Sequence, residues 1–198
     1  MVKTQSLAVP LGTRLPEFQM LNVNSDKAET FNLSYLDKRH LLIMFLCAHC
    51  PFVKYVENEI LRLSKEIKDY IQIIAVSSND ALNYPNDSPI NLKNQAKKNN
   101  WNFPYLYDED QSFAKRLKAA CTPDFYLFSN SSRDYSLFYH GQLDSSRPSN
   151  DIPLTSKDLL SAIEAIKTAK IFSNPQQPSI GCNIKWKVGS EPSWFGKS

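Results

Sequence analysis

The sequence predicts an α/β domain with a central mixed sheet flanked by helices, and three observations carry that prediction. Residues 41–46 and 71–76 are continuous apolar runs of strand length. Between them Val53, Val56, Ile60, Leu63 and Ile67 recur at the three- and four-residue spacing that lays one apolar stripe along a helix. Strand, helix, strand in that order reads as a βαβ unit with a parallel pair. Farther on, residues 125–128 and 135–139 flank the polar turn Asn130-Ser131-Ser132-Arg133 and are expected to pair as an antiparallel hairpin.

The remaining elements follow in order. Residues 7–31 carry turn signals at Pro10, Gly12, Pro16, Asn22 and Asn24-Ser25-Asp26 between short apolar pieces, the pattern of a leading β-hairpin along a sheet edge. Residues 77–88 read as a polar loop, after which Ser88-Pro89 supplies an N-cap and a first helical position for a helix to about Asn99. Residues 103–106 suit a short strand and 111–117 a short helix. Thr155 and Asp158 have capping-box spacing ahead of Leu159, Ala162, Ile163 and Ile166, so a closing helix is expected. After Phe172 the chain turns rich in Pro and Gly, which divides it into a domain at 1–172 and a C-terminal tail extension at 173–198 packed on the same domain.

With 198 residues, 42% hydrophobic and 22% charged, the chain suits one domain that buries roughly 70% of its unfolded surface without disulfide staples. A net charge of +3, with basic and acidic residues interspersed, argues against nucleic acid or an anionic membrane as a partner. Residues 1–12 hold one Lys and no apolar core leading to a cleavage point, so no signal peptide is expected. No apolar run reaches the roughly 18 residues of a membrane span. The expected location is cytoplasmic, where the four cysteines (47, 50, 121 and 182) are expected to serve chemistry rather than cross-linking.

Cys47-Ala48-His49-Cys50 lies between the first apolar run and the helical stretch that opens near Pro51. A CxxC at a strand-to-helix turn is a dithiol redox site before it is a metal site. A first cysteine at or near the helix N-cap meets unpaired backbone N–H groups and the positive end of the helix dipole, both of which favour thiolate. The second cysteine lies one turn in, within reach of a disulfide. An imidazolium at His49 adds positive charge and lowers the thiol pKa further. The catalytic set is therefore expected to be Cys47 as the attacking thiolate, Cys50 as the resolving thiol, and His49.

The segments CAHCPFVKYVE, SSND with YPNDS, FPYLYDEDQ, CTPDFYLF, YHGQLDSSRP and PSIGCNIKWK, in this strand and helix order, resemble the thioredoxin-like branch of the AhpC/TSA peroxiredoxin superfamily. The resemblance spans nearly the whole chain. It implies a thioredoxin-like fold, a cis proline at Pro123 facing the CxxC, and a substrate segment docking along Thr122 and Pro123 by strand addition. It further implies a thiol–disulfide oxidoreductase needing no cofactor beyond a redox-active Cys47–Cys50 disulfide. The partners so implied are a disulfide-bearing protein or small molecule as substrate, and an external dithiol donor of the thioredoxin or glutathione type.

The pattern departs from its relatives in two places. Peroxide-reducing relatives carry Thr or Ser three residues before the reactive cysteine, with a Pro upstream, where this chain has Met44 and no such Pro. They also supply an Arg from the loop where this chain has Cys121-Thr122-Pro123; Arg147 is the candidate substitute, with loop anchoring as its other reading. Thioredoxin's buried Asp corresponds to Leu41, which leaves Glu57 as a candidate base, with a solvated helical Glu as the alternative. An antioxidant thiol peroxidase, with Cys47 oxidised to a sulfenic acid and resolved by Cys50, is the alternative activity. A non-catalytic metal or redox-sensing module is the second, with Cys47, Cys50, Cys121 and either Cys182 or His49 around zinc, although such sites generally come as two close pairs. Cys121 reads either as a third redox thiol or as a small buried hydrophobe. Cys182, in a tail anchored by Trp186 and Trp194, reads as an alternative resolver or as inert. His40 and His140 read as structural.

Overall fold

The computed structural model describes residues 3–27, 29–37, 39–132 and 134–196. Strand β1 (Lys3–Gln5) is followed by the antiparallel hairpin of β2 (Gln19–Asn22) and β3 (Glu29–Asn32). The βαβ unit is β4 (His40–Phe45), α1 (Pro51–Ile67) and β5 (Ile71–Ser77), with β4 and β5 parallel. Helix α2 (Pro89–Lys98), strand β6 (Tyr105–Tyr107) and helix α3 (Ser112–Arg116) come next. Strand β7 (Cys121–Thr122) leads through Pro123 into the hairpin of β8 (Asp124–Ser131) and β9 (Asp134–Gly141). Helix α4 (Lys157–Lys167) and strand β10 (Ile180–Asn183) close the fold.

Seven strands form a mixed sheet in the order β3-β2-β6-β5-β4-β8-β9. Strand β4 lies inside it, parallel to β5 on one side and antiparallel to β8 on the other. Both of its faces are covered, which is why it reads as an unbroken apolar run. Alternation along the strand divides it between two cores. Leu42 and Met44 pack with the apolar stripe of α1 and with Leu159, Ala162 and Ile163 of α4, whereas Leu41, Ile43 and Phe45 pack with Phe113 and Ala114 of α3. A second, three-stranded sheet joins β1, β10 and β7. No helix among the described residues is long and apolar enough to cross a membrane.

Three expectations require correction. The tail is not irregular throughout, because β10 is the central strand of the smaller sheet, and Trp186 beyond it is buried edge-on against Trp194. The capping box at α4 does not form. Its N-cap is Ser156, at φ 57°, and the orphan amides of Thr155 and Ser156 both donate to Asp144 Oδ2 at 2.6 Å, while Asp158 accepts from Gln142. The leading hairpin lies at the later end of its predicted span and runs on to Asn32. Arg133 of the polar turn and the first two residues of the segment read for a signal peptide lie outside the described residues. His40 accepts from the Asn130 amide, and His140 stacks on Tyr126 and meets Asp124, so both histidines hold structure together.

Candidate active site

Cys47 follows the C-terminal end of β4, where the sheet hands the chain to α1. Helix α1 begins at Pro51, where a residue without an N–H sacrifices no hydrogen bond, so the N-cap is Cys50 and not Cys47. The Thr122–Pro123 peptide bond is cis, and Thr122 meets both thiols. Cys47 Sγ lies 3.1 Å from Thr122 Oγ1, and Cys50 Sγ lies 3.3 Å from the Thr122 carbonyl oxygen. A third sulfur joins them: Cys182 Sγ, on β10, is 2.7 Å from Cys50 Sγ. All three are buried, at 1%, 0% and 3% exposure, and no disulfide links the described cysteines. Cys121 neighbours Thr122 on β7, and strand alternation turns its side chain to the opposite face, where its sulfur is 3.9 Å from the Ser179 carbonyl.

The electrostatics act in opposite directions on the two thiols. Cys50 is pushed well down, chiefly by its contacts with the thiols of Cys182 and Cys47, and the amide of Val53 in the first turn of α1 adds to them. Cys47 is pushed well up, chiefly by burial, then by sharing its proton with Cys50 and by the nearby Asp87 carboxylate. Cys182 is pushed up by its contact with the Cys50 sulfur and by burial. The expectation placed the helix N-terminus at or near Cys47; it is three residues farther on, at Cys50, where the helix dipole favours a thiolate.

Asp87 is the main site residue that the sequence reading assigned no role. It is fully buried at the end of the short turn Pro85–Asp87. Its carboxylate accepts from the amides of Ala48 at 2.7 Å and His49 at 3.3 Å, from His49 Nδ1, and from Asn79 Nδ2 at 2.8 Å. One carboxylate therefore holds both middle residues of the CxxC turn. His49 is in turn covered by Tyr84, with ring centroids 6.2 Å apart, and Lys185 Nζ stands 5.9 Å over the Tyr84 ring. The stretch 77–88 is solvated only at its crest, residues 82–86, whereas Ser78, Asn79, Asp80 and Asp87 are buried. Gln95 braces the turn from α2, donating to the Cys47 carbonyl and to Glu57, which ties the candidate base to a glutamine and not to a thiol.

Arg147 lines a shallow cleft beside Pro123, together with Phe52, Tyr55, Phe125 and Ile180. Its guanidinium donates to the carbonyl oxygens of Asp144 and Ser146, each at 2.6 Å, and to the Gln142 side chain. Those bonds anchor its own loop, and none of its described bonds reaches Cys47 or Cys50. The edge of β7, where a substrate strand was expected, is already paired: Cys182 lies opposite Thr122 and Asn183 opposite Cys121. For a metal, the one suitable group among the described residues is Cys47, His49 and Asp87, whose ligand atoms lie within 4.8 Å of one another. Asp87 already satisfies four donors there, and with Cys121 turned away the expected four-ligand zinc set does not assemble.

Comparison with known proteins agrees with this architecture. The chain is similar to an uncharacterized conserved protein from Geobacillus kaustophilus at 43% identity, with 94% of this chain and 97% of that one covered and a TM-score of 0.88. It is similar to a hypothetical protein from Sinorhizobium meliloti 1021 at 37% identity, with 94% and 100% covered and a TM-score of 0.88. The thioredoxin domain of a thiol-disulfide oxidoreductase from Bacteroides vulgatus shares the fold at 14% identity, with 79% and 97% covered and a TM-score of 0.58. No curated protein matches the sequence. The family model described as AhpC/TSA matches residues 11–133, and with the thioredoxin-like sheet and the CxxC on its first helix, the chain belongs to the AhpC/TSA family, in its thioredoxin-like branch.

Proposed function

We propose that this protein is a thiol–disulfide oxidoreductase in which Cys47 and Cys50 exchange with a disulfide-bearing protein or small molecule. The observation that carries the reading is the CxxC dithiol set against the cis Thr122–Pro123 backbone, with one sulfur on the threonine hydroxyl and the other on its carbonyl. Cys47 is the first sulfur of the CxxC, on the turn before the helix, and it attacks. Its proton passes to the neighbouring Cys50 thiolate as the Cys47–substrate bond forms and the substrate disulfide breaks, and the leaving thiolate takes a proton from solvent. Cys50 then attacks Cys47 sulfur, the Cys47–substrate bond breaks, and the departing substrate thiolate takes up the proton that Cys50 gives up. This releases the reduced substrate and leaves a Cys47–Cys50 disulfide, which an external dithiol of the thioredoxin or glutathione type reduces in a cytoplasmic setting.

Two observations weigh against the peroxidase alternative. Met44 is buried in β4 where peroxide reducers need a hydroxyl, and Arg147 is committed to its own loop. The metal-module alternative is weakened by the saturated Asp87. The test is kinetic. Fully reduced protein is mixed in stopped flow with oxidised glutathione or a disulfide-bonded protein, and separately with hydrogen peroxide. Exchange much faster than peroxide consumption supports the reading; fast peroxide consumption replaces it with the peroxidase.

A further inference from the structure

Strand β10 occupies the place where an extended substrate would add. It runs antiparallel to β7, with Cys182 opposite Thr122, and β1 holds its other edge, with Lys3 opposite Cys182. The approach to Thr122 is close enough to need a glycine next to the cysteine: a Cβ at Gly181 would stand 2.0 Å from the Thr122 carbonyl oxygen and 2.6 Å from its carbon. The tail is thus held in strand register against the residue that faces the dithiol, and that register sets Cys182 Sγ 2.7 Å from Cys50 Sγ. A bonded pair stands at about 2.05 Å, so bond formation asks for a movement of about 0.7 Å. Cys121, on the opposite face of β7, does not compete.

We propose that β10 is a built-in substrate mimic whose Cys182 is a third redox thiol, and that the oxidised protein exchanges its Cys47–Cys50 disulfide for a Cys50–Cys182 disulfide. This rests on the oxidoreductase reading, which supplies the oxidising equivalent. In the exchange Cys182 loses its proton and attacks Cys50 sulfur. The Cys182–Cys50 bond forms and the Cys47–Cys50 bond breaks. The electron pair leaves on Cys47, which takes up the proton that Cys182 released, so nothing is oxidised or reduced overall. The oxidising equivalent is then stored on the inner pair while Cys47 becomes a thiol again. Cys50 is also withdrawn as resolver, so a second substrate captured by Cys47 stays as a mixed disulfide until the inner bond reopens.

The test oxidises the reduced full-length protein with one equivalent of oxidised glutathione, quenches with acid, blocks remaining thiols with N-ethylmaleimide and maps the linked peptides. The expected result is two linkages, with Cys50–Cys182 in about a tenth or more of the oxidised molecules, that is, within about 1.4 kcal/mol of the Cys47–Cys50 form, and Cys47 alkylated in the same fraction. Cys47–Cys50 as the sole linkage, with Cys182 alkylated in every molecule, would overturn the inference and leave the oxidoreductase reading intact. A protein left with neither internal linkage and with no glutathione adduct on Cys47 overturns that reading as well. As a second measurement, the wild type is expected to be re-reduced by dithiothreitol in two phases and Cys182→Ser in one; two phases persisting in Cys182→Ser would also refute the assignment.

Discussion

Gly181→Ala should loosen β10 from β7. The alanine Cβ would sit 2.0 Å from the Thr122 carbonyl oxygen, 2.6 Å from its carbon and 3.1 Å from Pro123 N. Ordinary contact begins at 3.4 Å, so the two backbones must part by 1.4 Å (3.4 less 2.0), and no side-chain rotation can relieve a clash with main chain. Overpacking of this kind costs about 1–3 kcal/mol, and for a chain of this length each kcal/mol lowers the melting temperature by about 2–4 °C. The expected fall is therefore about 2–12 °C, read by circular dichroism. Because Cys182 is buried only while β10 is seated, maleimide labelling of Cys182 in the native protein should accelerate about tenfold or more, the effect of an opening made easier by about 1.4 kcal/mol. A variant with unchanged melting temperature and unchanged Cys182 protection would show that β10 does not lie against Thr122 as described.

Three further outcomes follow from the site and its supports. His49→Ala removes the ring that partners Asp87 and leaves the carboxylate uncovered beside Cys47, so alkylation of Cys47 should move to higher pH; a superimposable pH profile would contradict the role given to His49. Glu59, half of an ion pair with Arg62 and acceptor of the Ser156 hydroxyl, is held below the usual carboxylate range chiefly by the Arg62 guanidinium. Its folded pKa is the lower one, so its contribution is present above the unfolded value of 4.5 and is lost as pH falls through the folded value. Glu59→Gln should therefore cost about 1–2 kcal/mol in urea unfolding at pH 7, a gap that narrows on acidification; a pH-independent gap would refute the charge argument. Asp144→Ala strips α4 of the carboxylate that takes the amides of Thr155 and Ser156 and should lower stability by about 1–3 kcal/mol in the same assay, whereas Thr155→Val should cost far less than a true capping-box residue would.

Much of the sheet could be read from residues alone, because its inner strands carry a strong pattern. Residues 41–46, and 71–76 apart from Gln72, are apolar on both faces since both faces are covered, and Val53 through Ile67 mark a helix by period alone. The dithiol was equally legible: Cys47 and Cys50 stand where a strand gives way to a helix that Pro51 can only begin. What stayed hidden depends on long-range contact. Ile180-Gly181-Cys182-Asn183 contains two residues depleted in strands and lies beside a Pro-rich stretch, so only its pairing with β1 and β7 makes it a strand. Asp87 looks like a solvated loop acid, and its burial becomes visible only when the CxxC turn delivers two amides and a ring nitrogen to it. The pull of the site on the Cys50 thiol was hidden for a local reason, namely that the helix starts after Cys50, together with a distant one, the sulfur of Cys182.

The most direct test of the central claim is to trap the mixed disulfide. Cys50→Ser lacks the resolving sulfur, so on reaction with a disulfide-bonded substrate it should accumulate a stable adduct on Cys47, located by peptide mapping, while Cys47→Ser should form none at that site. An adduct on Cys121 or Cys182 in place of Cys47, or no adduct from a folded Cys50→Ser protein, would contradict the account of Cys47 as the attacking sulfur.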